Sequence, residues 1–137
     1  MRAAYRVLAM LVTLGVVIQV AAIGLDGFML NSDARDGVTV DSSYSNLGQS
    51  IHAMNGNILA VVVLALLVVS FFADVPGGRK LAGIVFGLVV LQITLAVLAS
   101  GAPALGILHG INGLAIAGVA SMAAKRASTP PVLSTSG

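Results

Sequence analysis

The chain has 137 residues, of which 58% are hydrophobic and 9% charged, and its formal net charge is +2. A soluble domain carries about 25% charged residues. A mean hydropathy of +1.03 therefore excludes an ordinary water-soluble domain and indicates one integral membrane domain. The basic residues lie in pairs at predicted helix ends, which gives no basic face for nucleic acid. The absence of cysteine excludes disulfides, thiolate metal sites and cysteine nucleophiles.

Four apolar stretches reach the length of about 20 residues that a membrane span requires. They predict an all-α, polytopic membrane four-helix bundle with helices over residues 5–25, 47–72, 81–100 and 104–124. The first stretch begins with basic residues, as a signal peptide does, but its apolar core exceeds the usual h-region of about 7–15 residues. We therefore expect an uncleaved first helix and a transmembrane domain over residues 1–126. Residues 127–137 are rich in Ser, Thr and Pro and are predicted to form a disordered cytoplasmic tail.

The basic residues predict the orientation of the bundle. Of the seven basic residues, Arg35 alone falls on one side of a four-span chain. The other six fall on the opposite side: Arg2, Arg6, Arg79, Lys80, Lys125 and Arg126. By the positive-inside rule, both termini of this multi-pass protein of the cell membrane are expected to be cytoplasmic. The long connection between the first two helices would then face outward.

Two near-copies of one phrase suggest an internal duplication. Residues 51–56 and residues 108–113 both read apolar-His-x-x-Asn-Gly, and their histidines are the only two in the chain. In the helix before each phrase, Gln19 and Gln92 occupy matching apolar surroundings. Polar groups are rare inside membrane spans, so their correlated positions predict a tandem repeat of two helical hairpins.

Both histidines would lie about five residues into helices that run the same way, so they share one depth near the outer side. Residues at i, i+3 and i+4 share a helix face. The two predicted stripes therefore present His52, Asn55 and Gly56 on one helix, and His109, Asn112 and Gly113 on the other.

Two facing neutral imidazoles suit the two axial positions of a haem iron. Glycine one turn further would let a planar macrocycle approach the helix backbone, at Gly56 and Gly113. The amides of Asn55, Asn112, Gln19 and Gln92 could hydrogen-bond the ligands or the propionates. Arg35 and Tyr44, in the outer connection, could reach propionates at the membrane surface.

Plainer interpretations compete with this one. A membrane-embedded histidine often serves only as a hydrogen-bonding contact between helices, and each glutamine fits that role as well as cofactor binding. A zinc or copper site is less favoured, because zinc usually takes three or more protein ligands and the chain has no third histidine or cysteine. The spacings Gly83-x-x-x-Gly87 and Gly106-x-x-x-Gly110 indicate close helix packing, with a mixed role for Gly110 and Gly113.

A histidine near the outer end of the second and fourth helices of paired hairpins resembles one four-helix half of heme A synthase. The resemblance spans nearly the whole chain in topology, but the shared motif is little more than His52 and His109. It implies that these histidines are axial haem ligands. The layout is also similar to small uncharacterised four-helix membrane proteins.

The chain departs from that family at the residues that carry catalysis. The resemblance implies a catalytic glutamate at the position of Gln49 and an arginine at the position of Ala53, and this chain has neither. The cysteines of the family's outer loop are also absent. The resemblance therefore implies a bis-histidine haem module without the family's oxygenase-like activity.

The leading hypothesis is a small b-type cytochrome that transfers electrons or handles haem near the outer face. Such a shallow haem would need a quinone, an outer redox protein or a larger membrane complex to complete an electron path. The alternative is a cofactor-free accessory subunit of a larger, respiratory-type membrane complex. A transporter is a weaker hypothesis, because no acidic residue lies within the apolar spans.

Overall fold

The computed structural model describes residues 1–128, so most of the predicted tail lies outside the described residues. This part of the chain is all-helical and contains no β-strand. Its four helices are α1 (Arg2–Arg35), α2 (Leu47–Ser70), α3 (Gly78–Ala99) and α4 (Leu105–Ser128). All four are long and apolar enough to cross a membrane. The predicted all-α four-helix bundle is confirmed.

The largest difference from the predicted boundaries is at the end of α1, which continues ten residues past the predicted end at residue 25, to Arg35. The apolar run stops near Leu25, but the backbone signal that ends the helix comes later. Gly37 adopts a left-handed φ of 81°, and the N–H groups of Gly37 and Val38 donate to the carbonyls of Ala34 and Asp33. This is the Schellman arrangement, which glycine favours because it has no Cβ.

The other boundaries shift by a few residues. α2 ends at Ser70, α3 begins at Gly78, and α4 continues to Ser128. Residues 127 and 128, which the sequence assigned to the disordered tail, are therefore the last residues of α4. Hydropathy misses the start of α3 and the end of α4, because the small and charged residues there carry no apolar signal. It extends α2 too far, because Phe71 and Phe72 are apolar but lie in the turn after the helix.

The helices form a square in which α1 and α3 each pack against both α2 and α4. The helices α2 and α4 therefore lie on one diagonal of the square. Each helix packs closely against its neighbours except along the seam between α2 and α3, where packing is loosest. The end of the bundle that carries Met1, the 71–77 connection and Ser128 is called the terminal end here, and the opposite end is called the loop end.

Hydrogen bonds from α1 close the terminal end. The Arg2 guanidinium donates to the carbonyls of Ala127, at 3.0 Å, and Asp74, at 3.4 Å. The Tyr5 hydroxyl, fully buried, donates to the Gly78 carbonyl at 2.9 Å. A cation beside the last carbonyls of α4 is favourable because it satisfies unpaired acceptors and complements the helix dipole.

The hydrophobic core occupies the terminal half of the bundle. Its buried members come from the first half of α1, the second half of α2, the start of α3 and the second half of α4, for example Tyr5, Val12, Leu66, Val85 and Ala120. Many of them are alanines, whose small side chains let helix backbones approach closely. Few buried apolar side chains lie in the loop half, so the bundle is not filled evenly along its length.

The predicted glycine packing stripes are wrong for contacts within the bundle. A Cβ added at Gly83, Gly87, Gly106 or Gly110 would meet no heavy atom within 4 Å. The glycine that another helix backbone approaches closely is instead Gly48, where a Cβ would stand 2.6 Å from the Asp26 Cα and 2.7 Å from the Ala22 carbonyl oxygen.

We predict that Gly48→Ala destabilises the bundle by about 1–3 kcal/mol, because the added methyl forces α2 away from the α1 backbone. The matched control is Gly110→Ala, where the methyl meets open space. Thermal unfolding in detergent, followed by helical circular dichroism, measures both. Equal midpoints for the two variants would contradict the close crossing.

Candidate functional site

A cavity of about 320 Å³ fills the middle of the loop half. Apolar and small side chains from all four helices line it, and the polar lining side chains are Gln19, His52, Asn57, Gln92 and His109. Its volume lies within the range of about 300–1,000 Å³ that is common for small-molecule sites. Among the described residues, no charged side chain lines the cavity. A molecule bound there would therefore be uncharged, or its charged groups would lie outside the cavity.

The exposure of the lining residues indicates that the cavity opens towards the loosely packed seam between α2 and α3. Its exposed lining residues lie on these two helices: Ala53 and Asn57 on α2, and Ile93, Ala96 and Val97 on α3. The lining residues of α1 and α4 are buried or half-buried.

The two histidines, from diagonally opposite helices, meet in this cavity. The ring centroids of His52 and His109 lie 6.2 Å apart, and the ring planes are inclined by 49°. The structure therefore brings the two predicted histidines together in one cavity. Both side chains are half-buried.

Two imidazoles bound in line to one metal ion would have nearly this centroid separation. A metal–imidazole bond is about 2.0–2.1 Å, and the ring centroid lies about 1.1 Å beyond the nitrogen, which gives centroids about 6.3 Å apart. Within residues 1–128, no group of three or more His, Cys, Asp or Glu side chains could hold a metal ion. A metal at this pair would therefore have to bring further ligands of its own, as the iron of a haem does.

His109 is held in one orientation by a hydrogen bond to the preceding helix. Its Nδ1 lies 3.1 Å from the backbone carbonyl oxygen of Gln92. A carbonyl oxygen only accepts, so Nδ1 carries the proton and Nε2 keeps a free lone pair. Histidines that bind metals usually have such an N–H···O partner.

Asn55 and Asn112 do not line the cavity but tie the helices of each hairpin together. The Asn55 amide donates to the Gly15 carbonyl at 2.8 Å, between α2 and α1. The Asn112 amide donates to the Leu88 carbonyl at 2.9 Å and to the Gln92 Oε1 at 2.6 Å, between α4 and α3. Both asparagines therefore set the position of the helices that carry the histidines, and their side chains do not line the cavity.

Glycine and glutamine are neighbours in each half of the cavity. A Cβ at Gly56 would stand 3.1 Å from the Gln19 Nε2, and a Cβ at Gly113 would stand 3.6 Å from the Gln92 Nε2. All four residues line the cavity. Each glutamine amide therefore lies against a glycine, and a larger residue at Gly56 would press on the Gln19 side chain.

Arg35 and Tyr44, the predicted propionate contacts, lie at the loop end and do not line the cavity. The Tyr44 hydroxyl donates to the Asp33 Oδ2 at 2.7 Å and accepts from the Asn46 amide at 3.2 Å. The Asn46 amide lowers the pKa of Tyr44, but the hydrogen bond to Asp33 raises it, and the resulting pKa lies above its usual range. This network holds the extension of α1 against the start of α2.

Sequence reasoning missed the remaining lining residues. Asn57 follows Gly56, but its counterpart in the second half is Leu114, so no repeated polar position marked it. Val12, Leu59 and Ile116 line the cavity towards the core. They are ordinary aliphatic residues in apolar helices, and nothing in the sequence separates them from core residues.

Comparison of the chain with family models, with curated proteins and with solved structures gave no match. The resemblance to heme A synthase therefore stays a prediction based on the two histidines and the helix layout.

We predict that Asn112→Leu destabilises the protein by about 1–2 kcal/mol, because it leaves the Gln92 side-chain oxygen without its donor in an apolar setting. Asn57→Leu is the matched control, since Asn57 lines the same cavity but is exposed. Chemical unfolding in detergent micelles compares the two. A loss in Asn57→Leu as large as that in Asn112→Leu would argue against this role for the Asn112 bonds.

Proposed function

We propose that this chain is a small membrane b-type cytochrome that holds one bis-histidine haem between α2 and α4. The observation that carries the proposal is the pair of imidazoles 6.2 Å apart across the cavity, one of them already oriented through Nδ1. Haem iron takes imidazole readily as an axial ligand, and four-helix bundles commonly build cofactor sites from facing helices.

The residues present fit a haem in three further respects. The cavity lining is mostly apolar, as the face of a macrocycle requires. Gly56 and Gly113 line the cavity one helical turn after each histidine and place no side chain in it. The loose seam between α2 and α3 leaves a side of the cavity open for a planar group larger than the enclosed space.

In this proposal His52 and His109 would hold the iron, and the Gln92 carbonyl keeps the His109 proton on Nδ1, which leaves Nε2 of His109 for the metal. Asn55 and Asn112 fix the rotation of the helices that carry the histidines. The bound iron would supply one-electron transfer. Because two histidines of the chain would hold the iron, electron transfer or haem handling fits the site better than oxygen chemistry.

We also propose the finer layout that the sequence predicts. The two Asn–carbonyl bonds join residues at matching positions, since Asn55 and Asn112 are 57 residues apart and Gly15 and Leu88 are 73 apart, as are the two glutamines. This supports a tandem repeat of two hairpins. The basic residues support a cytoplasmic terminal end, which would place the haem near the outer face.

An electron path from this depth would continue through a quinone, an outer redox protein or a larger membrane complex, as the sequence also led us to expect. These partners are part of the proposal. The competing function is the cofactor-free accessory subunit of a larger membrane complex, and haem content separates the two.

We expect the purified protein in detergent to bind one haem per chain and to give a reduced-minus-oxidised spectrum of a low-spin b-type cytochrome. The double variant His52→Ala, His109→Ala should bind none, because no other side chain in the cavity is a strong iron ligand. Thr94→Val, outside the cavity, is the control. A folded wild-type protein without haem absorption would contradict the haem proposal and favour the cofactor-free accessory subunit.

A second test separates the cavity from the fold. We expect Gly113→Val to abolish haem binding while retaining the helical bundle, because the branched side chain would fill the space beside Gln92 and His109. Gly118→Val, on the same helix where a Cβ meets nothing within 4 Å, should bind haem as wild type does. Haem titration followed at the Soret band measures both, and unchanged binding by Gly113→Val would count against haem in this cavity.

A further inference from the structure

The two histidines differ in how they are held. The Nδ1 of His109 has the Gln92 carbonyl as its acceptor. The Nδ1 of His52 is buried and has no hydrogen-bond partner among the described residues, and the Oε1 of Gln19 is in the same condition. Both of these unpaired groups belong to residues that line the cavity.

This difference affects how tightly each imidazole would bind a metal. When the second ring nitrogen donates a hydrogen bond to an acceptor, that bond fixes the tautomer and raises the basicity of the nitrogen that binds the metal. Removing the acceptor typically lowers the metal affinity about 10–100-fold. His109 has this support and His52 lacks it. The sequence phrases around the two residues are alike, so only the structure separates them.

We propose that His109 is the permanent ligand and His52 the exchangeable ligand, so that the His52 side of the site binds a small neutral molecule such as a diatomic gas. This inference rests on the haem proposal above. In such an exchange, the incoming ligand would replace the His52 imidazole on the iron. No electron would be transferred, and the released imidazole would be neutral.

The surroundings of His52 determine which ligands suit this side. No charged side chain lines the cavity, so an anion would lose its hydration without a compensating partner. The Gln19 amide lies beside Gly56, one helical turn from His52, and its oxygen is buried and unpaired. A neutral ligand would therefore meet one polar group in an otherwise apolar space.

Carbon monoxide is the probe, added to the full-length, haem-loaded, reduced protein in detergent. We expect the wild type to bind it with a rate that reaches a plateau as its concentration rises, because His52 must leave first. His52→Ala should retain haem and bind carbon monoxide with a rate that rises linearly. His109→Ala should bind haem about 10–100-fold more weakly than His52→Ala does.

Two results would overturn the inference while leaving the haem proposal intact. One is a haem-loaded wild type whose spectrum carbon monoxide does not change. The other is equal haem affinity in His52→Ala and His109→Ala. The wild-type measurement stands even if His109→Ala fails to fold, and a wild type that binds no haem overturns both proposals.

A measurement without haem tests the same difference. In the apoprotein labelled with ¹⁵N at histidine, one imidazole should show a single Nδ1–H tautomer, assigned to His109 by its loss in His109→Ala. His52 should not show a fixed Nδ1–H tautomer, because no acceptor for a proton on its Nδ1 lies among the described residues. Two fixed Nδ1–H tautomers would contradict the unequal support of the two rings.

Discussion

The hydrogen bond from Asn112 to the Leu88 carbonyl fixes the rotation of α4 against α3, and the site depends on that rotation. Asn112 is only 8% exposed, and an amide in apolar surroundings is costly unless it is paired. Because His109 lies one turn before Asn112 on the same helix face, pairing the amide with α3 also directs the imidazole into the cavity. In the same way, the hydrogen bond from Asn55 to the Gly15 carbonyl fixes the rotation of α2 against α1.

The rest of the bundle makes this arrangement stable without filling the site. The terminal half packs tightly around Tyr5, Leu66 and several alanines, and Arg2 links α1 to the end of α4. The loop half is held instead by hydrogen bonds between helices and by the network of Asp33, Tyr44 and Asn46. The tightly packed apolar core and the cavity therefore lie in opposite halves of the bundle.

Much of the fold and the centre of the site were predictable from the sequence. Long apolar runs predict helices because a chain in lipid must satisfy its own backbone, and two equal polar phrases on parallel helices predict His52 and His109 at one depth. The roles of individual polar residues were less predictable. Asn55 and Asn112 shared the histidine face on a helical wheel, yet carbonyls on neighbouring helices hold them, and sequence periodicity contains no information about those acceptors. The glycine spacings failed for the same reason, because the helix that a glycine faces is set by the rotation of the bundle.

The loose seam between α2 and α3 has a consequence for the route by which molecules reach the cavity. The exposed lining residues, such as Ala53 and Ala96, lie where lipid tails would surround a bundle that spans a bilayer. A solute that enters there arrives from the hydrocarbon phase, so its effective concentration is its aqueous concentration multiplied by its oil–water partition coefficient. Lipophilic molecules and dissolved gases would be enriched at this entrance, and hydrophilic metabolites of the same size would be depleted. The bilayer itself would thus act as the first filter on what the two histidines encounter.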